Sequence, residues 1–599
     1  MILALLLALG GGEIPLNISV YPSEVQLDGA LDTQRILVVA RDYDKSAIDW
    51  TGRALVKIVD ESVVSYAGGV LRPVGDGETR VRVSARGESI TIPVSVSGAT
   101  TVPDVSFRLD VVPVFTAAGC NTGTCHGQAS GRDGFRLSLF GFDPEGDHHS
   151  LTRELPGRRL NFAFPSSSLM LEKATGSVPH TGGRRIELDG PAYNQIYRWI
   201  ESGGLPDLDT VASVTRIELY PPDVLLRGPD NEVHLMVRAH YSDGTDRDVT
   251  DLAILRSSNE VSASLTEEAT IRSGTSGEAF VTANFDVHTV GVNVTVLPDT
   301  GSMRWFDPAS ARFKRNYVDE LVEQKLRRIR ISPSGICDDE TFLRRVYLDV
   351  IGALPTLQER DEFLGDRSSD KRARLIDRLV DRKEFAELWV MQWAELLRIR
   401  SDENISQKAA LLYFEWLRDR IGENMPVDEM VRKILGASGG TFANPPTNFY
   451  QVERDDLVLS ENIAQAFLGI RIQCAKCHNH PFDRWTQDDY YGFAAFVSQV
   501  GRKGAEDPRE QIIFNRSSGE IRHPIGGRDM APTFLGGESP DLSGNDRREA
   551  LAEWVTSTEN PWFARSLANR VWAYFMGPGI VEPVDDFRIS NPPSNGPLL

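Results

Sequence analysis

The residues most able to do chemistry in this chain lie in two short runs of cysteine and histidine. The chain has 599 residues but only 5 cysteines and 10 histidines. In the C-terminal run, Cys474, Cys477 and His478 have the spacing C-x-x-C-H. In c-type haem attachment the two thiols of this pattern form thioethers to the porphyrin, and the histidine binds the iron. Cys474, Cys477, His478 and His480 also match a zinc site of two thiolates and two imidazoles, with His523 as a further candidate, so haem and zinc both remain open. With haem, His478 would bind the iron and His480 or His523 would be left for the far side.

The N-terminal run, Gly-Cys-Asn-Thr-Gly-Thr-Cys-His-Gly, has four residues between its cysteines. Cys120, Cys125 and His126 therefore form a longer variant of the same haem pattern. A haem that carries electrons needs a second strong iron ligand, for which we prefer His180 and place Met170 second. A disulfide between the two cysteines, or another metal ion, would also explain the pair.

The elements that position these runs begin with a repeat. The run Ile-Ser-Val-Tyr-Pro from Ile18 recurs as Ile-Glu-Leu-Tyr-Pro from Ile217, and both copies end on alternating apolar residues. Alternation with period two between glycine-containing turns predicts short antiparallel strands. About eighty-five residues of such strands make a small β-sandwich. We therefore expect two sandwiches, at 14–98 and 213–298, on either side of the N-terminal run.

Both sandwiches resemble the bacterial immunoglobulin-like domains of group 2, in the opening I-x-V-x-P and in the Asp-Val-Thr-Asp stretch at 248–251. The resemblance implies export, because such domains are common spacers and binding modules on exported proteins. A face for a polysaccharide or cell-surface partner and a plain spacer are both open. We favour the spacer, because no aromatic cluster in the sequence indicates a ligand surface.

Helical periodicity begins after the second sandwich. From about residue 307 the apolar residues recur near every 3.6 positions, which predicts a mainly α region. Trp389 and Trp393 are interpreted as core packing rather than as part of a cofactor site. A helix with Ser460 as its N-cap is expected to lead into the C-terminal run. Between the sandwiches, a helix is expected over Tyr193 to Ser202.

Residues 118–204 resemble the cytochrome-c-like modules of large exported planctomycete proteins. The resemblance rests on the run around Cys120 and on the later runs F-R-L-S-L-F, K-A-T-G and P-H-T-G-G-R. It implies a small, mostly α haem module, in which Cys120 and Cys125 anchor the porphyrin and His126 is the proximal ligand.

Two further segments resemble the domains that follow such modules. Residues 307–499 resemble a large helical domain of unknown function, in the run L-R-R-V-Y-L-D-V-I-G-A-L-P from Leu343 and in residues 474–492. The run N-P-W-F-A-R-S-L-A-N-R-V-W from Asn560 resembles the start of its usual partner domain, and we expect the chain to stop before that domain ends. Since both domains are of unknown function, the resemblance implies an architecture and haem but no activity.

Charge and composition exclude several classes of function. Asp and Glu number 85 against 65 Lys and Arg, for a formal net charge of −20. Nucleic-acid binders and proteins that dock on anionic lipid display basic faces, so we expect neither partner. Residues 1–12 have the apolar stretch and small residues of a secretory signal. No later window is apolar enough to predict a transmembrane span.

The sequence thus predicts a multidomain exported protein, periplasmic or at the cell surface. The fold class is two all-β immunoglobulin-like sandwiches, a small mostly α cytochrome-c-like module and a large mainly α C-terminal domain. The expected segments are a signal at 1–12, a sandwich at 14–98, the module at 104–205, a sandwich at 213–298, the helical domain at 307–510 and a truncated domain at 545–599.

Electron transfer through one or two c-type haems is the favoured function, with an unknown redox partner. A scaffold with structural zinc or disulfides is an alternative of a different class. A haem- or metal-dependent enzyme acting on an extracellular polymer is a further alternative. An open sixth coordination position would favour the enzyme, and two strong axial ligands would favour the electron carrier.

Overall fold

The computed structural model describes residues 18–41, 45–128, 130–208, 210–299, 305, 316–480, 483–542 and 545–599. The signal-like segment at 1–12 lies outside the described residues. The chain divides into two compact units. The first contains residues up to 301, and the second contains residues 302–480 and 485–599.

The first sandwich has ten short strands around an apolar core. They are β1 Ile18–Tyr21, β2 Val25–Asp28, β3 Gln34–Arg35, β4 Leu37–Arg41, β5 Ala47–Asp49, β6 Leu55–Ile58, β7 Val64–Ala67, β8 Val70–Pro73, β9 Gly77–Ala85 and β10 Glu88–Ser97. The sheets have the orders β1-β4-β5, β2-β10-β9-β6 and β3-β8-β7. The expected antiparallel pairing holds except that β2 pairs with β10 in parallel. Alternate residues of β9 and β10, such as Val83 and Val94, fill the core as the period of two predicts.

A helical module follows the first sandwich. A π-helical turn over Phe107–Val111 leads into α1, and three more helices follow. They are α1 Val112–Ala117, α2 Pro144–Thr152, α3 Leu169–Thr175 and α4 Pro191–Glu201. Helix α4 matches the expectation of Tyr193 to Ser202 within two residues. Its Trp199 is fully buried and packs 4.9 Å, centroid to centroid, from Phe107.

The second sandwich repeats the first strand for strand. Its strands are β11 Val214–Tyr220, β12 Val224–Arg227, β13 Glu232–His234, β14 Met236–Tyr241, β15 Asp246–Asp248, β16 Ile254–Ser257, β17 Ala263–Leu265, β18 Thr270–Ser273, β19 Gly277–Phe285 and β20 His288–Leu297. The sheet orders are β11-β14-β15, β12-β20-β19-β16 and β13-β18-β17, again with one parallel pair, β12 with β20. The repeat in the sequence is therefore a repeat in topology.

The two sandwiches contact each other through equivalent residues. The backbone N–H of Arg35 donates to Asp248 Oδ2 at 3.0 Å, and that of His234 donates to Asp49 Oδ2 at 2.7 Å. Arg35 and His234 occupy equivalent positions in the two copies, as do Asp49 and Asp248. The tyrosines that end β1 and β11 also pack together, 5.2 Å apart between centroids. The interface is thus a pseudo-two-fold one, in which each copy gives the other the same contact.

The second unit is mainly helical, as expected. Its helices are α5 Tyr317–Arg328, α6 Asp339–Ile351, α7 Leu357–Gly365, α8 Lys371–Val380, α9 Lys383–Leu396, α10 Gln407–Gly422, α11 Val427–Leu435, α12 Phe449–Val452, α13 Asp456–Ile463, α14 Gln487–Ala494, α15 Arg547–Thr556 and α16 Phe563–Met576. Its short strands are β21 Gly439–Gly440, β22 Val500–Gly504, β23 Gln511–Asn515, β24 Ile521–Arg522 and β25 Asp529–Met530. Leu551 and Val555 of α15 belong to the same core as Met430 and Ile463, so the segment after residue 545 shares the core of the helical domain.

The helix that precedes the C-terminal run begins earlier than expected. Asp455, not Ser460, is the N-cap of α13, because its carboxylate accepts from the N–H groups of Leu457 and Val458 at 2.9 and 3.0 Å. Ser460 lies inside the helix, where its hydroxyl donates to the Leu457 carbonyl. After α13 the chain continues as a π-helical turn over Ala464–Leu468. In the part of the chain that the structure describes, no helix is long and apolar enough to cross a membrane.

Candidate functional site

The N-terminal Cys–His run is a tight loop at the end of α1, which we call the N-terminal site together with His180. Asn121 is fully buried and its side-chain amide donates to Thr116 Oγ1 at 2.9 Å, which ties the loop to α1. The loop closes where the His126 N–H donates to the Cys120 carbonyl at 3.0 Å. A Cβ on Gly127 would lie 2.0 Å from the Asn121 carbonyl oxygen, so only glycine lets the chain turn here.

The loop brings the ring of His126 close to that of His180, with the two ring planes nearly parallel. Their ring centroids are 6.2 Å apart and their planes differ by 6°. Metal–nitrogen bonds of about 2.0–2.1 Å on both sides of one ion, plus the ring radii, would put two opposite imidazole centroids about 6 Å apart. The observed centroid separation of 6.2 Å is close to that spacing. A Cβ on Gly182 would lie 2.9 Å from the His180 ring, so a glycine leaves room for that ring.

Both imidazoles are oriented by backbone carbonyls. Nδ1 of His126 lies 3.2 Å from the Phe135 carbonyl oxygen, and Nδ1 of His180 lies 3.0 Å from that of Gly183. Because a carbonyl only accepts, Nδ1 carries the proton in each neutral ring and Nε2 has the lone pair. This is the usual outer-sphere support of a metal-binding histidine. Burial also lowers the pKa of His126, which favours the neutral form that binds metals.

The two thiols of the N-terminal site differ in environment. Cys120 packs against the core of the module, and burial raises its pKa to about 11, although the nearby Arg185 guanidinium acts in the opposite direction. Arg185 Nη2 lies 3.9 Å from the sulfur of Cys125. Met170, the second choice for an iron ligand, packs against the same apolar core.

The C-terminal Cys–His run lies in a short 3-10 turn over Gln473–Lys476 and the loop after it, which we call the C-terminal site. Cys474 and Cys477 are exposed, whereas Ala475 between them is fully buried and fixes the turn to the core. The hydroxyl of Tyr491 donates to the Lys476 carbonyl at 2.9 Å. Both cysteines are therefore exposed residues on a turn whose backbone is fixed by Ala475 and Tyr491.

The histidines of the C-terminal site have different partners. Nδ1 of His478 lies 2.7 Å from the Asn479 carbonyl oxygen, so His478 is oriented in the same way as His126. Burial lowers the pKa of His480 to about 4, with further lowering by the positive charges of Arg588 and His478. Arg588 itself pairs with the buried Asp586 at 3.2 Å.

His523, expected as a further ligand, has other partners. Its Nδ1 lies 3.0 Å from the Ile525 carbonyl oxygen and 3.1 Å from the Ile525 nitrogen, and its Nε2 lies 3.2 Å from Asp488 Oδ1 at ion-pair distance, without the direction of a hydrogen bond. Its ring packs 5.4 Å from that of Tyr491. Both ring nitrogens therefore face groups other than the two cysteines.

The structure thus assembles the two predicted sites to different degrees. All five cysteines are described, and all are free thiols, the form from which thioethers or a disulfide would form. Over the described residues, no three His, Cys, Asp or Glu side chains are grouped so as to hold a metal ion by themselves. Haem attachment at either site stays a prediction, and so does zinc at Cys474, Cys477, His478 and His480, with His523 as a further candidate ligand.

Sequence reasoning missed two arginines at these sites. Arg185 lies beside the thiols of the N-terminal site, and its only signal was an Arg-Arg pair directly after the Gly-Gly that follows His180. Arg588 acts on Cys474 and His480 from more than a hundred residues away in sequence. No local pattern could have indicated that contact.

The chain was then compared with known proteins. Family models match at residues 317–502 (protein of unknown function, DUF1549), at 547–599 (protein of unknown function, DUF1553) and at 55–96 (hyaluronate lyase, N-terminal beta-sheet domain). No curated protein matches the chain.

Solved structures of a surface-layer protein also match. Domains 5-6 of the S-layer protein SbsC are 12% identical over 48% of this chain and 99% of that chain, with a TM-score of 0.20. Domains 4-9 are 13% identical over 47% of this chain and 31% of that chain, also at 0.20. TM-scores this low do not identify a shared fold. The family models show that the chain is similar, over 317–502 and 547–599, to two families of unknown function. The sequence analysis predicted two such domains in the C-terminal part of the chain.

Proposed function

We propose that this chain is an exported haem protein that transfers electrons, with its principal haem at the N-terminal site. The observation that carries the proposal is the His126–His180 pair, parallel and 6.2 Å apart, beside two cysteines with a haem-attachment spacing. His126 and His180 would both hold the iron of the haem, which supplies the one-electron chemistry. That arrangement suits electron transfer better than substrate binding, which needs an open position.

Each residue of the site has a definite role in this proposal. Cys120 and Cys125 would anchor the porphyrin through thioethers, and His126 and His180 would be the axial ligands. When bound, the haem supplies a one-electron couple between ferric and ferrous iron. The carbonyls of Phe135 and Gly183 hold both rings before the ligand binds, which lowers the ordering cost of binding.

The C-terminal site supports a second, different attachment. Cys474 and Cys477 are exposed and His478 is oriented by a carbonyl, which suits thioether formation and one axial bond. His523 faces Ile525 and Asp488, so the histidines that this loop offers to a haem are His478 and His480. Export is supported by the apolar segment at 1–12 and by c-type attachment itself, which takes place on the export route.

The test is a visible spectrum of the protein exported from a host that matures c-type cytochromes. It is recorded in the oxidised and the dithionite-reduced states, alongside a haem stain of the denatured chain. We expect a sharp reduced α-band and haem that survives denaturation. Cys125→Ser removes the N-terminal contribution and Cys477→Ser the C-terminal one.

Cys337→Ser is the matched control, because Cys337 belongs to neither run, and it leaves the haem content unchanged. A chain that carries no haem and one zinc per site, or no cofactor at all, would show that the sites are structural. In that case the electron-transfer proposal is wrong and a scaffold protein is the better description.

A further inference from the structure

A cavity in the second unit has the properties of a ligand site that is separate from both Cys–His sites. Its volume is about 420 Å³, within the range of small-molecule pockets. The C-terminal end of α9, helices α12, α13 and α16 and the π-helical turn after α13 form its walls. The lining combines apolar side chains, such as Leu396 and Leu459, with charged and amide groups.

The central polar group of this cavity is Arg570 on α16. Its Nη2 donates to the Gln465 carbonyl at 2.8 Å, but its Nε is buried and has no hydrogen-bond partner. Burial lowers the pKa of Arg570, which shows how far the guanidinium has been withdrawn from water. Among the described carboxylates, none forms a salt bridge with Arg570, although Asp585 lies near enough to influence it.

Asp585 is held by other groups. Gln465 Nε2 and Arg471 Nη2 each donate to it at 2.5 Å. Each of its oxygens therefore has a donor other than Arg570, and the half-buried Arg570 guanidinium is open to a further anionic acceptor. An oxyanion placed on a partly desolvated guanidinium gains a charge-assisted hydrogen bond.

Two backbone features at the same cavity are typical of functional sites. The π-helical turn Ala464–Leu468 supplies Gln465 and Ala466 to the wall, and π-turns within helices are frequent at such sites. Arg398, also in the lining, has a φ of 54°, a left-handed conformation that non-glycine residues adopt at a cost. Both features lie within the residues that face the cavity.

The other polar groups limit the kind of anion that fits. Glu395 and Glu453 also line the cavity, and their carboxylates accept hydrogen bonds but repel a second negative charge. Asn462 and Arg398 offer donors, and the apolar side chains offer a surface for C–H groups. We propose that this cavity binds a small hydroxylated organic acid, whose single carboxylate pairs with Arg570 while its hydroxyls donate to the glutamates. The inference does not depend on haem binding.

The test is isothermal titration of the full chain with D-glucuronate and D-gluconate, a ring and an open-chain form of such an acid. D-Glucose and inorganic phosphate are the comparison probes. We expect at least one hydroxy acid to bind, Arg570→Gln to weaken that binding at least about tenfold, and glucose and phosphate to bind at least tenfold more weakly. Arg565→Gln, an exposed position of the same helix, is the control and changes the affinity less than twofold.

A second variant keeps the test decisive if Arg570→Gln does not fold. Glu395 lies at the exposed end of α9. The variant Glu395→Gln should weaken the binding of the hydroxy acid without strengthening the binding of glucose. No binding of either acid up to about 10 mM overturns the proposal. If phosphate binds as tightly as the hydroxy acids, the proposal is also wrong, because the cavity would then be a general anion site that does not recognise hydroxyl groups.

Discussion

The two Cys–His sites differ in an instructive way. The C-terminal run has the stricter sequence pattern, and in the described part of its loop a backbone carbonyl orients His478 beside two exposed thiols. The N-terminal run has the looser pattern, yet the structure sets His126 parallel to a histidine that is distant in sequence, with Arg185 beside the thiols. A close match to a local sequence motif therefore does not predict how many of a site's ligands the fold brings together, because the second histidine comes from a distant part of the sequence.

The largest effect is expected from removing His180, which tests whether the N-terminal site has a second histidine ligand. In the haem-loaded protein, His180→Ala should open an iron position at the N-terminal site, because the opposite imidazole is lost. We expect azide affinity at that site to rise about 100-fold or more, measured by optical titration. His149→Ala, an exposed histidine of the same module, is the control. Tight azide binding at the N-terminal site of the unaltered protein would contradict the paired-histidine arrangement.

The thiols offer a second contrast, in the chain produced without haem. With a pKa of about 11, only about one Cys120 thiol in a thousand is a thiolate at pH 8. Iodoacetamide should therefore label Cys120 about tenfold or more slowly than the exposed Cys474 and Cys477. The Cys120 rate should rise about tenfold per pH unit until the pH approaches its pKa. Equal rates for the three cysteines, read by peptide mass spectrometry, would refute the difference in burial.

Gly127 tests whether the N-terminal loop is shaped before any ligand binds. Gly127→Ala forces a Cβ against the Asn121 carbonyl and should destabilise the module by about 1–3 kcal/mol. Gly123→Ala in the same loop is the matched control, since its Cβ would meet only Leu139 Cδ1 at 3.8 Å. Native-state hydrogen exchange of amides in α1 and α4 measures the loss. Equal protection in both variants would show that the turn adapts.

The smallest effect is expected at His523. Because its ring nitrogens face Ile525 and Asp488, His523→Ala should change the haem content and azide affinity of the C-terminal site less than about twofold. His478→Ala at the same site is the positive control and should lower haem retention clearly. A large effect of His523→Ala would show that the C-terminal site rearranges around its ligand, and would make the two sites more alike.

The sequence predicted what short-range periodicity encodes. Alternation indicated both sandwiches, and the spacing of Ile196, Trp199 and Ile200 indicated α4 within two residues of its true ends. The parallel pairing of β2 with β10 was not predicted, because alternation reports which face is buried and not which strand lies alongside. Ser460 was misassigned because Asp455, also a good N-cap, lies five residues earlier and the helix begins there.

The sites were predictable only in part for the same reason. The sequence indicated His126 and His180 as a pair, but no pattern in it reports the angle between two rings. Arg588 and Asp585 come from the last fifteen residues and act on groups in the helical domain. Contacts of this kind depend on how distant segments pack, which a single sequence does not encode in any local spacing.

The reciprocal contacts between the two sandwiches have a mechanical consequence. The chain leaves the first sandwich at the end of β10, forms the helical module and enters the second sandwich at β11, yet the sandwiches hold each other directly through Asp49 with His234 and Asp248 with Arg35. A stretching force applied to the two ends of this unit would therefore act first on the interface between the sandwiches, and only later on the helical module. The helical module thus lies between two chain ends that the sandwich–sandwich contacts already hold close together. Tension along the chain would therefore leave the distance between His126 and His180 unchanged until the two sandwiches separate.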